Sequence, residues 1–280
     1  MADAPAYTSS TVNTARDYYN SEGADRFYAQ VWGGEDIHIG LYQSNADSIF
    51  DASHRTVQKM ASLLQLSKDS TVMDIGAGYG GSARYLAKTV GCRVACLNLS
   101  EVQNERNRLL NREQGLSQLI EVIDGSFEEI PADASSYHAI WSQDAILHSG
   151  DRHKVLQEVH RVLKPSGDFV FTDIMQREDC PSGVLQPVLD RIHLDTLGSL
   201  PFYRQTAADL GMTEVQFLDL SHQLVNHYSH VLAEVNKRYD EVIVSCGRQY
   251  IDRMKVGLQH WIDAGKAGYL QWGILHFRKP

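Results

Sequence analysis

Cysteine is scarce in this sequence, and a long apolar run is missing. Its 280 residues include only four cysteines, with no C-x-x-C pair, so neither a disulfide framework nor a cysteine-based metal site is predicted. Nowhere do about 18 apolar residues run together, and residues 1–13 lack the basic and then apolar order of a secretion signal. We therefore expect a cytoplasmic protein that has no membrane association, with residues 1–13 disordered or lying on the surface.

Positive charge is also in short supply. Acidic residues outnumber basic ones by 35 to 26, which gives a net charge of −9. Nucleic acids and anionic membranes bind basic surfaces, so neither is an expected partner. Small molecules are the expected ligands. A chain of this length with 43% hydrophobic residues can bury a large core as one domain, and whether it forms a homodimer is left open.

A glycine-rich stretch organises the chain. The run V-M-D-I-G-A-G-Y-G-G at residues 72–81 is an apolar segment followed by a turn, and residues 82–88 then have a helical pattern. This order predicts a strand, a tight loop and a helix whose first N–H groups face a ligand. Gly76, Gly78 and Gly81 also satisfy the G-x-G-x-x-G fingerprint, so the motif alone leaves dinucleotide binding open.

Three details of this stretch favour another nucleoside. Asp74 precedes the loop, Gly80 extends it to D-x-G-x-G-x-G, and Asn98 stands where a ribose-binding acid is expected. The extended form resembles the first motif of the class I S-adenosylmethionine-dependent methyltransferases. The resemblance implies S-adenosylmethionine as methyl donor and S-adenosylhomocysteine as product, with the methionine and ribose lying on Gly76, Ala77 and Gly78.

Strands and helices alternate through most of the chain. Strand patterns lie at 71–75, 92–99, 119–123, 137–142 and 168–175, and after a long gap at 215–220 and 269–277. This alternation predicts an α/β fold with a doubly wound, mostly parallel sheet, and the resemblance implies seven strands with an antiparallel last pair. We expect one methyltransferase domain in four parts. These are an N-terminal lid at 14–50 that includes Trp32 and Tyr42, a cofactor-binding core at 51–176, a helical substrate-side insertion at 177–211 with a helix near 183–198, and the last two strands with a long helical segment at 212–280.

Polar side chains stand at the predicted carboxyl ends of the strands, where ligands of open α/β sheets bind. They are Asp74, Asn98, Asp124 and Gln143. In the resembling family the second strand end holds the ribose and the third contacts adenine, which implies an adenine site at Asp124, Ser126 and Phe127. Asn98 accepts fewer hydrogen bonds than a carboxylate. Leu99 and Gln103 belong to an L-S-x-x-Q segment that resembles tocopherol, phosphobase and cyclopropane-forming relatives, so Gln103 either approaches the ribose or only caps its helix.

One histidine follows the fourth strand. The run D-A-I-L-H at 144–148 resembles the segment of phosphobase methyltransferases in which an aspartate and a histidine border the transferred methyl group. The resemblance implies a catalytic role for His148, and the alternative is a structural histidine. The other histidines show no H-x-x-x-H or Cys/His ligand spacing, so no metal is expected.

The acceptor substrate is indicated outside these motifs. Residues 28–42, with Arg177 and the L-P-F-Y run at 200–203, resemble the sarcosine/dimethylglycine N-methyltransferase family. The resemblance implies two successive methylations that give glycine betaine. Tyr28, Trp32 and Tyr203 can offer aromatic faces to the charged nitrogen, and Arg177 can bind the carboxylate unless it forms only a surface ion pair. Another small amine, a phosphobase or a prenyl lipid as acceptor remains an alternative, as does a non-catalytic nucleoside-binding protein.

Overall fold

The computed structural model describes residues 10–20, 22–32 and 34–280. The expected disorder of residues 1–9 falls outside this part, whereas residues 10–13 form the start of a helix rather than a disordered segment. The strands are β1 (Thr71–Ile75), β2 (Arg93–Asn98), β3 (Ile120–Asp124), β4 (Tyr137–Gln143), β5 (Leu163–Gln176), β6 (Thr213–Asp219) and β7 (Leu270–Arg278). The helices are α1 (Ser10–Asn20), α2 (Glu22–Val31), α3 (Ile49–Ala61), α4 (Gly81–Thr89), α5 (Glu101–Glu113), α6 (Arg152–Val162), α7 (Gln186–Ile192), α8 (Leu200–Asp209), α9 (Ser221–Lys237), α10 (Tyr239–Cys246) and α11 (Arg248–Lys266).

The strands form one sheet in the order β3-β2-β1-β4-β5-β7-β6. Strands β1 to β5 pair in parallel, and β7 is antiparallel to both β5 and β6. The predicted α/β class, the mostly parallel sheet and the antiparallel last pair are confirmed. The strand order reverses between β1 and β4, which places a topological switch point at the carboxyl ends of these two strands.

Helices cover both faces of the sheet, because alternate residues of each central strand point to opposite sides. In β1, Val72 packs in one core with side chains of α3 and α4, and Met73 packs in another with side chains of α6 and α8. Both residues are fully buried. This packing fixes the direction in which the strand ends point, and so positions the site.

A layer of helices lies over the carboxyl ends of β4 and β5. It consists of α1, α2, α7, α9, α10 and α11, and we call it the helical cap. Its own apolar core includes Trp32, Val231 and Leu258. The segment after β6, predicted as long and helical, consists of three helices, with α9 packed against α11. In the described part of the chain, no helix has the length and apolar character needed to cross a membrane.

Residues 177–211, predicted as a helical substrate-side insertion, contain two separate helices, α7 and α8. The predicted helix at 183–198 is wrong in extent, because only Gln186–Ile192 is helical. Pro187 lies in its first turn, and His193 ends it with a left-handed φ of 55°. Helix α8 packs against α6 and β6, so it belongs to the layer beside the sheet rather than to an insertion on the substrate side.

Candidate active site

The loop after β1 depends on glycine. Gly76, Gly78 and Gly80 have φ values of 78°, 53° and 79°, a region that other residues avoid. A Cβ atom on Gly76 would lie 2.3 Å from the Cβ of Ala145, which leaves no room for a side chain. The backbone of the loop therefore packs directly on the segment that follows β4, which only a residue without a side chain allows. The N–H of Ala77 donates to the carbonyl of Leu97 at 3.2 Å and joins the loop to β2.

Asp74, the last residue but one of β1, is a buried carboxyl group that is 3% exposed. Burial raises its pKa to about 8, and the nearby carboxylate of Asp36 adds to the shift. Asp36 lies against the start of α4, since a Cβ on Gly81 would be 2.1 Å from its Oδ1. The crevice thus holds two carboxyl groups, and the proton on Asp74 lowers the repulsion between them.

The end of β2 is connected to the start of α5. A capping box consists of two bonds, one from the N–H of Gln103 to the side chain of Ser100 and one in the reverse direction. The first is present, since the Oγ of Ser100 accepts from the N–H of Gln103 at 3.2 Å. The Oε1 of Gln103 instead accepts from the Nδ2 of Asn98 at 3.1 Å. The Nε2 of Gln103 is buried without a hydrogen-bond partner among the described residues. Gln103 therefore has an amide donor available as well as its capping bond.

Gln143, at the end of β4, shows the same feature. Its Oε1 accepts from the Nε1 of Trp141 at 2.9 Å and from the hydroxyl of Ser82, while its Nε2 is buried and has no partner in the described chain. A buried donor without an acceptor is costly unless a ligand satisfies it. Two such donors beside a glycine loop fit a ligand with carboxylate and hydroxyl oxygens, as S-adenosylmethionine has.

The end of β3 lies at the outer side of the crevice. Asp124 is exposed, and it accepts from the Nδ2 of Asn104 at 2.8 Å and pairs with Arg108 at 2.5 Å. Phe127 is buried, and its ring lies 3.8 Å from the position of a Cβ on Gly76. Ser126 is also buried, and Leu99 is half-buried after β2. Of the predicted adenine residues, Phe127 thus lies next to the glycine loop.

A small cavity lies between the carboxyl ends of β4 and β5 and the helical cap. Its volume is about 60 Å³, so it admits only a small molecule. Five aromatic side chains from α1, α2, α9 and α11 and the residue after α2 line it: Tyr19, Tyr28, Trp32, Tyr228 and Trp261. The rings of Tyr28 and Trp32 are 5.0 Å apart, and those of Tyr228 and Trp261 are stacked at 5.2 Å.

The predicted lid is packed rather than open at two of its aromatic residues. Trp32 is 4% exposed and donates from Nε1 to the carbonyl of His38 at 3.2 Å. Tyr42 is 7% exposed, and its hydroxyl lies 3.1 Å from the Nδ1 of His227 on α9. The segment covers the cavity by joining the core of the helical cap.

His148 also lines the cavity, in a short 3-10 turn after β4. Its Nε2 lies 2.9 Å from the hydroxyl of Tyr19. Burial, together with the positive charges of Arg152 and Arg191, lowers its pKa to about 4. The imidazole is therefore neutral at pH 7 and faces the cavity as a proton acceptor or donor, not as a cation.

Asp144 lines the cavity beside His148. It has a positive φ of 48°, which is uncommon outside glycine and is tolerated best by Asp and Asn. Its carboxylate accepts from the N–H of Ile39 at 2.8 Å and from the Nε1 of Trp272 at 2.7 Å. Burial raises its pKa. The strained backbone and these two bonds hold the carboxylate at the cavity wall.

Two residues predicted to bind substrate lie elsewhere. Arg177 is not among the residues that line the cavity, and its guanidinium is 3.5 Å from the carboxylate of Asp219. Tyr203 is fully buried in the sheet core on α8, where its hydroxyl donates to Asp173 at 2.5 Å. The cavity receives an arginine from α7 instead, Arg191.

Several cavity residues have no local sequence signal. Asp144 was visible in the D-A-I-L-H run, but Arg191, Tyr228 and Trp261 come from helices far along the chain, in ordinary amphipathic patterns. Only the packing of α7, α9 and α11 brings them to the strand ends. Among the described residues, no group of three or more His, Cys, Asp or Glu side chains could hold a metal ion.

The sheet order, the glycine loop at the switch point and the buried amide donors define a class I S-adenosylmethionine-dependent methyltransferase. A family model described as a methyltransferase domain matches residues 73–171. Two relatives are named sarcosine/dimethylglycine N-methyltransferase. The one from Aphanothece halophytica is 59% identical over 95% of this chain and 96% of its own, and that from Halorhodospira halochloris is 56% identical over 99% of each.

A solved structure gives the same result. It is assigned as a sarcosine dimethylglycine methyltransferase from Galdieria sulphuraria, is 46% identical, and covers 94% of this chain and 98% of its own at a TM-score of 0.89. The chain belongs to the sarcosine/dimethylglycine N-methyltransferase family, and S-adenosylmethionine is its methyl donor.

Proposed function

We propose that the enzyme methylates the nitrogen of sarcosine and then of dimethylglycine, giving glycine betaine and one S-adenosylhomocysteine per methyl group. The observation that carries this proposal is the cavity of about 60 Å³, whose wall combines aromatic rings with Arg191. A methylated amino acid has a compact cationic end and a carboxylate, and these two kinds of wall match its two ends. The names of the relatives support the same substrates.

The strand ends hold the methyl donor in this proposal. Gly76, Ala77 and Gly78 lie under its methionine and ribose parts. The amides of Asn98, Gln103 and Gln143 bind its hydroxyl and carboxylate oxygens, with Leu99 beside them. Asp124, Ser126 and Phe127 form the adenine site, and Asp74 lies beneath the loop. When bound, S-adenosylmethionine would supply an electrophilic methyl group to the acceptor.

The cavity then orients the acceptor. Tyr28 and Trp32 present ring faces to the nitrogen, and each cation–π contact contributes roughly 0.5–2 kcal/mol depending on desolvation. These contacts favour the charge that develops on nitrogen in the transition state. Arg191 takes the role predicted for Arg177 and binds the carboxylate. The nitrogen lone pair is itself the nucleophile, so the protein contributes alignment and exclusion of water.

The acceptor nitrogen must lose a proton before it can react. An alkylamine has a pKa of about 10 in water, about 6 units above that of His148, so direct transfer from the ammonium costs roughly 8 kcal/mol. Burial and the charge of Arg191 both disfavour the ammonium form and reduce this difference. His148, with Tyr19 at 2.9 Å, accepts this proton, and the nitrogen then reacts as the free amine.

Product analysis tests the proposal. Purified enzyme is incubated with S-adenosylmethionine and sarcosine, dimethylglycine, phosphoethanolamine or a prenylated phenol, and the methylated products are measured by mass spectrometry. We expect dimethylglycine and betaine from sarcosine, and betaine from dimethylglycine. Methylation of the phosphobase or the phenol in preference to both amino acids would refute the proposal.

A further inference from the structure

Glycine occupies an unexpected position in α11. Gly257 lies in the interior of this 19-residue helix and is buried. Glycine weakens helix interiors relative to alanine, because it loses more backbone freedom on folding. Residues Arg248–Lys266 form one unbroken helix, so the glycine neither ends nor interrupts it. The reason for glycine must lie in what packs against it.

The side chain of Arg191 fills the space where a Cβ would be. An added Cβ on Gly257 would lie 2.1 Å from the Cδ of Arg191, 2.6 Å from its Nε and 3.0 Å from its Cγ. These distances are far below van der Waals contact. One turn earlier on α11, the Sδ of Met254 lies 3.5 Å from the Nη2 of the same arginine. The aliphatic part of Arg191 therefore lies directly on the helix backbone.

Arg191 lies between two cavities. It lines the small cavity at the strand ends, and it also lines a second cavity of about 850 Å³ between α1, α7 and α11, where Gly257 forms part of the wall. A side chain at position 257 would push Arg191 away from the helix. The large cavity gives the displaced side chain room, so the helix can fold while the guanidinium changes position.

We infer that Gly257 is a specificity-determining residue, whose missing side chain lets Arg191 reach the carboxylate of the amino acid acceptor. The inference rests on the proposed function, in which Arg191 binds that carboxylate. Gly257 acts through Arg191 and is a positioning residue. The position of Arg191 that Gly257 allows accounts for a preference for acceptors that carry a carboxylate near the nitrogen. The aromatic walls alone would not give this preference.

Steady-state kinetics with dimethylglycine test the inference. The variants are Gly257→Ala, Arg191→Ala and the double variant, and the matched control is Gly265→Ala on the same helix, whose added methyl meets Val225 and not Arg191. We expect Gly257→Ala to raise KM at least tenfold, equivalent to about 1.4 kcal/mol, with kcat and the Kd of S-adenosylhomocysteine changed less than twofold. Arg191→Ala should raise KM at least as much, and adding Gly257→Ala to it should change KM less than twofold.

Three results would overturn the inference: an unchanged KM in Gly257→Ala, a loss equal to that of Gly265→Ala, or additive effects in the double variant. A Gly257→Ala protein that is poorly folded is recognised by a lowered melting temperature. In that case Arg191→Ala, which keeps the native Gly257, measures the rise in KM expected when the guanidinium is lost from the cavity. Failure of the proposed function is distinguishable, because the unmodified enzyme would then not methylate dimethylglycine at all.

Discussion

The buried carboxyl group of Asp74 predicts how the stability of the cofactor-free enzyme changes with pH. In the folded protein its pKa is about 8, against a usual value of 3.8. Between these two values the unfolded chain releases a proton that the folded protein keeps, so the free energy of unfolding falls as pH rises. A difference of about 4 units corresponds to at most ~6 kcal/mol, accumulated at about 1.4 kcal/mol per pH unit.

Asp74→Asn removes this pH dependence, because the amide has nearly the same shape and does not ionise. We expect the variant to gain stability relative to the unmodified protein as pH rises, by up to ~4 kcal/mol between pH 5 and 8. Urea unfolding of cofactor-free protein at pH 5, 6, 7 and 8 measures this, with the exposed Asp69→Asn as control. A stability difference that stays constant with pH, or that decreases as pH rises, would show that Asp74 is ionised in the folded enzyme.

Further predictions concern Tyr28, His148 and Arg177. Tyr28→Leu should lower kcat/KM for dimethylglycine about fivefold to tenfold while Tyr28→Phe retains most of it, measured by release of S-adenosylhomocysteine; equal losses would argue against a cation–π role. His148→Ala should lower kcat more than the affinity for S-adenosylmethionine. The unmodified enzyme should show no inflection from His148 between pH 6 and 8, because a pKa of about 4 keeps the ring neutral there, and an inflection near 6.5 that the variant lacks would contradict this. Arg177→Ala should leave KM within twofold, since its guanidinium pairs with Asp219 outside the cavity, and a tenfold rise would restore Arg177 as the carboxylate ligand.

Much of the sheet could be predicted because strands buried on both faces leave continuous apolar runs in the sequence. The segment at 92–99 was predicted as a strand, and β2 occupies Arg93–Asn98. The helix boundaries after β5 could not be predicted as well. The helical spacing of apolar residues continues past residue 193, but α7 ends there because His193 has a left-handed backbone conformation. No pattern of side chains in the sequence predicts that conformation.

The cofactor crevice was predictable for a geometric reason. Asn98, Asp124 and Gln143 each end a parallel strand and Asp74 is the last residue but one of β1, and parallel strands bring their carboxyl ends to one edge of the sheet. Their hydrogen-bond partners were not predictable. The sequence suggests a reciprocal cap for Gln103, whereas its Oε1 accepts from Asn98, because the packing of α5 on β2 brings the two amides within 3.1 Å.

The sequence by itself determined the class of fold, the glycine loop and the edge of the sheet at which ligands bind, since these follow from local conformation and strand direction. The tertiary structure alone decided which arginine and which aromatic rings enclose the acceptor. Arg191, Tyr228 and Trp261 lie on three helices that are separated along the chain, and they meet only when the helical cap buries its apolar core against the strand ends. Burial of this kind depends on contacts between residues that are far apart in the sequence, so the pattern of neighbouring residues does not predict it.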